Sequence, residues 1–276
     1  MNYKPIWFTQ DSLCKAPYKI MVCTPVHSDV SMYYCLSILK LQQDCIKKNI
    51  PINFSLMKSS LITQNRNMCV AEMLNHEDNY THLLFIDSDI QFESKTISNS
   101  GYFNIIVSKT IFSMLEKDKD VIACPYPLKM IDWDIILEKV SEDKKITKES
   151  IMNAGHIFPL KPFDLNQLKS QDGLLEVTHA PAGCMLIKRP VLETMILKYP
   201  ELEIYQSSMI NGKQEKKRNL FNLFDTFHDP DSKRYLGEDF GFCQKWIDLE
   251  GKIYLYIDDY ITHIGEYAYR GRLSDI

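Results

Sequence analysis

Two carboxylates one residue apart, Asp87 and Asp89, end the apolar run of LLFIDSDIQF (Leu83–Phe92). The run reads as a strand buried on both faces. Like charges repel, and burying them unpaired costs several kcal/mol, so a positive group is expected beside them. Alternate residues of a strand face opposite ways. Where the strand ends and the chain turns, both carboxylates can reach one divalent cation. Oxygen ligands suit Mg2+ or Mn2+, completed by phosphate oxygens of a substrate. The alternative is a capped turn, because aspartate is common after strands. An EF-hand is excluded, since Phe92 stands where that loop needs glycine.

Three further stretches carry residues able to do chemistry. HAPAGCMLIKR (His179–Arg189) holds a Pro-Ala-Gly turn at which Gly183 lets backbone approach a ligand closely; the alternative is an ordinary hairpin turn, with His179 structural. LGEDFGFCQKW places Glu238 and Asp239 at a helix start, where the dipole favours ionised carboxylates. Asp239 there suits a general base taking a proton from a hydroxyl; the alternative is helix capping. YITHIGEYAYRG places His263 beyond an apolar strand, and imidazole suits Mn2+ better than Mg2+; the alternative is a structural histidine.

The elements that must position these groups follow from periodicity. YKIMVCTPV (Tyr18–Val26), INFSLM and HLLFIDSDI read as strands. Between them lie a helix over SMYYCLSILKLQQDCIKK, capped by Ser31, and a second over NRNMCVAEMLNH. Two β–α–β units in succession favour a parallel sheet of the α/β type, and in such sheets ligands bind outside the carboxyl ends of the strands. Asp87 and Asp89 sit at that end. Further on, the sequence predicts a helix over Ser108–Lys117, a strand at VIACPYP and a charge-rich exposed helix or insertion over Lys139–Ser150. Strands at LLEVTHA and GCMLIKR flank the Pro-Ala-Gly turn. PVLETMILKYP reads as a helix, KQEKKRN as a solvated basic loop, and GEDFGFCQKWIDLEG as an amphipathic helix stopped by Gly251. KIYLYIDDYITHIG is strand material.

Composition sets the frame. With 276 residues, 45% hydrophobic and 25% charged, an ordinary packed core is available. The net charge of −4 argues against non-specific nucleic-acid binding and makes duplex DNA a poor partner. The N-terminus lacks a signal-peptide pattern, and no apolar run reaches the roughly 20 residues of a membrane helix. The eight cysteines include no C-x-x-C pair. Cys23, Cys69, Cys124, Cys184 and Cys243 lie in apolar segments and read as reduced core residues of a cytoplasmic protein.

Taken in order, D-x-D, small-residue turn, Glu-Asp at a helix start and C-terminal histidine resemble the GT-A glycosyltransferases, nucleotide-sugar-dependent enzymes with a Rossmann-like core. DSD looks like their metal-binding D-x-D, PAGC like their glycine loop, GED like their x-E-D motif and His263 like their C-terminal metal-binding histidine. ITQNRNMCVAEML resembles the Arg-Asn helix start that precedes D-x-D in several members. The resemblance covers roughly Lys19–Gly265.

It implies an α/β fold of GT-A type, a Rossmann-like mixed sheet with helices on both faces. The chain would be a single domain over 1–276, with a nucleotide-sugar half over about 18–135 and an acceptor half over about 136–276. Asp89 and His263 would bind Mn2+ (or Mg2+), and Asp87 would meet the metal or the ribose. Thr24, Pro25 and Val26 would lie near the base. Arg66 would pair with ribose or phosphate, the alternative being a surface arginine, and Ser88 and Gly183 would belong to the nucleotide-binding set. The expected reaction moves a sugar from a nucleoside diphosphate donor, taken as a UDP-sugar, to an acceptor hydroxyl. Asp239 and Glu238 form the catalytic pair, and the outcome is inverting. A retaining transferase and a non-catalytic nucleotide-sugar or glycan-binding module are the alternatives. The acceptor would be a glycan, a lipid-linked sugar, a protein or a modified base. No lectin-like domain and no Golgi anchor is expected. A sugar-nucleotide pyrophosphorylase is excluded because TPVHSDVS lacks its G-x-G-T-R loop. A D-x-D-x-T phosphatase is excluded by Gln91 and by the late position of the motif.

Overall fold

The long apolar runs become strands buried on both faces because helices cover each side of the sheet they form. The computed structural model describes residues 17–93, 109–142, 145–162, 170–205, 207–210, 213–228 and 233–266. The first half runs β1 (Ile20–Val26), α1 (Met32–Lys47), β2 (Ile52–Lys58), α2 (Ile62–Asn75), β3 (His82–Ile86), β4 (Ile90–Glu93), α3 (Lys109–Glu116) and β5 (Val121–Ala123). Then come α4 (Trp133–Glu142), α5 (Lys148–Ala154), β6 (Lys161–Pro162), β7 (Leu174–His179), β8 (Cys184–Lys188) and α6 (Arg189–Lys198). The last part holds two short pairs, β9 (Ser207–Ile210) with β10 (Lys213–Lys216) and β11 (Phe227–His228) with β12 (Tyr235–Leu236). It closes with α7 (Glu238–Asp248), β13 (Ile253–Tyr256) and β14 (Tyr260–His263).

The main sheet has eight strands in the order β2-β1-β3-β8-β5-β13-β7-β6. The expected fold class holds: an α/β, Rossmann-like mixed sheet with helices on both faces. The predicted parallel arrangement is found for β2, β1 and β3. It is broken by β8, which runs antiparallel to both of its neighbours, β3 and β5. In β1 and β3 the side chains alternate between two cores. Met21, Cys23, Leu83 and Phe85 pack with Cys69, Val70 and Met73 of α2 and with residues of α6 and α7. Ile20, Val22, Leu84 and Ile86 pack with Tyr34, Leu41 and Cys45 of α1 and with α3. So α1 and α2 take opposite faces on either side of β1. A crevice opens at that switch point, beyond the carboxyl ends of β1 and β3.

Ser31 caps α1 as expected, its hydroxyl accepting from the Tyr33 N–H. α2 begins at Ile62, earlier than the predicted Asn65. The cysteines singled out in apolar segments are all buried and free.

Three expectations need correction. The Pro-Ala-Gly turn does not join a hairpin: β7 pairs with β13 and β6, while β8 pairs with β3 and β5. The first residues of the predicted basic loop KQEKKRN form β10. Gly251 does follow α7, but the left-handed residue there is Glu250, at φ 62°. Gly251 answers a packing need, because a Cβ on it would run into the Trp246 indole at 2.2 Å. Ser108, the segment 1–16 and the Tyr-rich tail beyond Glu266 lie outside the described residues.

Candidate functional site

The strand that carries Asp87 and Asp89 stops at Ile86 because the chain leaves the main sheet there. It resumes as β4 in a separate antiparallel pair with β14. The pairing sets His263 opposite Ile90 and Ile261 opposite Phe92. Ile90, Phe92 and Ile261 point into the core on one face, and His263 ends that row. The Ile264 N–H donates to the Asp89 carbonyl at 2.8 Å. This brings His263 Nε2 to 3.4 Å from Asp89 Oδ2.

The imidazole is oriented from behind. Its Nδ1 lies 2.9 Å from the Pro127 carbonyl, which can only accept, so Nδ1 carries the hydrogen and Nε2 is the nitrogen turned toward Asp89. The Tyr126 ring meets it edge-on at 5.0 Å between centroids. A carbonyl that fixes the tautomer in this way is the usual partner of a metal-binding histidine. Lys129 Nζ also reaches Asp89 Oδ2, at 2.5 Å. Burial works to raise the Asp89 carboxyl, but His263 and Lys129 outweigh it and hold it down at about 2.

Asp87 points elsewhere. Its Oδ2 accepts from Arg66 Nη2 at 3.0 Å, and Arg66 Nε donates to Glu238 Oε1 at 3.1 Å. Arg66 is 3% exposed, with its guanidinium 5.1 Å over the Phe85 ring. It is not a surface residue: it ties Asp87, at the end of β3, to the first turn of α7. Burial disfavours its charge, yet the two carboxylates hold its pKa above the ordinary value. The second oxygen of Asp87, Oδ1, is buried without a hydrogen-bond partner. Such an atom is costly unless something else satisfies it.

Asp239 stands next in the same cluster. Its Oδ1 accepts from the Phe240 N–H at 2.8 Å within the first turn of α7, while the N-cap position is Gly237, which has no side-chain cap. Burial and the neighbouring Glu238 carboxylate raise its pKa to about 6, against the Phe240 N–H and Arg66, which lower it. Two carboxylates thus share one guanidinium with Asp239 close by, and the cluster carries excess negative charge.

Gly183 matters through what it touches. Its carbonyl accepts from the Asp87 N–H at 2.9 Å, and its own N–H donates to the Tyr126 hydroxyl at 3.2 Å. A Cβ there would lie 2.6 Å from that hydroxyl, so the close approach is to Tyr126. Thr24 is fully buried, with Oγ1 2.6 Å from the Tyr34 hydroxyl. Pro25, Val26 and Ser88 line a cleft of about 230 Å3 together with His27, Ser59, Ser60, Asn65, Asp87 and Asp89. His179 is buried against the Phe240 ring, as the structural reading expected, and burial lowers its pKa to about 4.

The structure therefore joins Asp89 with His263, and Asp87 with Arg66 and Glu238. It does not gather Asp87, Asp89 and His263 into one cage. Among the described residues no three His, Cys, Asp or Glu side chains are grouped as a preformed metal site. The groups available to a divalent cation are Asp89 and Nε2 of His263, while Asp87 Oδ1 is buried. Sequence reasoning missed Tyr126, Pro127 and Lys129. The signal was present, since PYPLKM follows a strand whose carboxyl end faces the same crevice.

No protein-family model and no curated protein sequence matches the chain. Among solved structures, the chain is similar to A197 from STIV at 14% identity and a TM-score of 0.45, over 90% of this chain and 86% of that one. That likeness supports no statement about activity. No helix among the described residues is long and apolar enough to cross a membrane.

Proposed function

We propose that the protein is a glycosyltransferase of GT-A type. It would move a sugar from a nucleoside diphosphate sugar, with a UDP-sugar as the first candidate, to an acceptor hydroxyl with inversion. The observation that carries this reading is the approach of His263 to Asp89, with the histidine tautomer set by Pro127 so that Nε2 faces the carboxylate. Asp89 and His263 are hard and borderline donors that fit Mn2+ or Mg2+. A cation held by Asp89 and His263 would supply Lewis-acid stabilisation of the charge that builds on a diphosphate leaving group.

Each protein group has a task in this reading. Pro25, Val26, His27, Ser59 and Ser60 bound the space for base and ribose. Arg66 and Glu238 hold Asp87 in place from behind, which makes Glu238 a positioning residue. Gly183 fixes the Asp87 backbone and Tyr126 backs the histidine. Asp239 takes the acceptor proton at a carboxylate oxygen as the hydroxyl attacks the sugar carbon, and a pKa of about 6 suits a base that must be ionised near neutrality and still receive a proton. The test is calorimetry with UDP, with and without Mn2+, followed by release of UDP from a panel of UDP-sugars. Metal-dependent UDP binding together with hydrolysis or transfer supports the reading. Metal-dependent binding without any turnover favours a nucleotide-sugar-binding module, and no binding to any nucleotide of the panel removes it.

A further inference from the structure

The ammonium of Lys129 lies on the very oxygen, Asp89 Oδ2, that His263 Nε2 also approaches. We infer that Lys129 holds the place on Asp89 Oδ2 that a divalent cation would take, and turns onto the diphosphate when such a cation binds. This rests on the nucleotide-site reading above.

The stem and head of Lys129 are placed for such a move. The side chain is 42% exposed, so its head borders solvent, unlike the buried Arg66. It crosses the backbone at Gly265, where a Cβ would come within 2.9 Å of Lys129 Cδ. The bare backbone at that position leaves a track for the stem. A lysine on four methylenes is a mobile point charge, and point charge is what phosphate oxygens take from lysine. Two cations cannot share one carboxylate oxygen at contact distance without strong repulsion. A divalent ion on Asp89 Oδ2 must therefore displace the ammonium. Asp87, the neighbouring carboxylate, is already paired with Arg66. The negative charge that arrives together with the ion is the diphosphate, and Lys129 transfers to it.

The inference demands effects of opposite sign from one substitution. In Lys129→Met the cation no longer competes with an ammonium, so Mn2+ alone, titrated without nucleotide, binds at least about threefold more tightly. The diphosphate loses a charged partner, so UDP at saturating Mn2+ binds at least about tenfold more weakly. Lys129→Arg keeps the charge and stays within about threefold of the unmodified protein for UDP. Calorimetry on all three proteins, with thermal unfolding alongside to confirm the fold, reads both quantities. If the methionine variant leaves both affinities unchanged, or weakens both together, Lys129 is only a surface ion pair and the inference falls. If the unmodified protein itself fails to bind UDP with Mn2+, the nucleotide-site reading falls first and takes this inference with it.

Discussion

Arg66 Nε and Glu238 Oε1 lie 3.1 Å apart, although 172 positions of sequence separate the two residues. The contact fastens the first turn of α7 to α2, and the same guanidinium continues to Asp87. Asp87 and Glu238 are therefore organised by one buried cation.

Removing that cation leaves two half-buried carboxylates without a partner. Arg66→Met is expected to lower unfolding free energy by about 3–5 kcal/mol, the usual result of breaking a buried ion pair from one side. Urea denaturation followed by circular dichroism measures this. A loss under about 1 kcal/mol would mean that Asp87 and Glu238 find other partners.

Asp239→Asn separates binding from chemistry. The diphosphate is held by other groups, so UDP and Mn2+ binding should stay within about twofold. Transfer should slow by at least about a hundredfold, in the range for loss of a general base. Loss of binding as well would place Asp239 in the nucleotide site. Near-normal transfer would favour the retaining mechanism or the plain capping role.

The raised pKa of Asp239 also makes two predictions about pH. As a base it must be ionised, so kcat/KM should rise through about pH 6 and level above it. Stability runs the other way. The folded protein holds this proton more tightly than the unfolded chain, so the group's contribution is complete below pH 3.8 and lost as pH rises through about 6. Asp239→Asn should therefore gain roughly 1–2 kcal/mol over the unmodified protein at pH 7.5 and almost nothing at pH ~3. Equal stabilities of the two proteins at both pH values would contradict this.

Asp89→Ala removes the oxygen that His263 and Lys129 share. UDP binding in Mn2+ should weaken by at least about tenfold, and EDTA should abolish binding to the unmodified protein. His263→Ala should keep the thermal transition within a few degrees while impairing the same metal dependence. Metal-independent UDP binding of equal strength would refute the pairing of these residues around a cation.

Much of this was legible in the sequence where the signal is local. Continuous apolar runs such as HLLFI mean a strand covered on both sides, and the switch point after β1 and β3 follows from the β–α–β order. Ser31 caps α1 because its hydroxyl needs only the next turn. What depends on distant partners was not legible. The antiparallel entry of β8 between β3 and β5 leaves no mark within the β8 segment itself, because a strand covered on both faces reads alike in either direction. Arg66 at a helix start looks like a surface residue, and its burial depends on Asp87 and Glu238 arriving from elsewhere. Lys129 reads as one lysine among many, and only the β4–β14 pairing shows what it faces.

That pairing makes strand register a determinant of the site's chemistry. Side chains alternate along a strand, so a shift of one position exchanges the two faces completely. With Ile261 against Phe92, an imidazole meets Asp89; displaced by one residue, Thr262 or Ile264 would stand there, and the donor set would lose its nitrogen. Ile261 and Phe92, neither of which can bind a ligand, thus decide which atoms the site offers. Changes in the length of the Ile257–Asp259 connection, remote from any reacting group, act on the site by the same route.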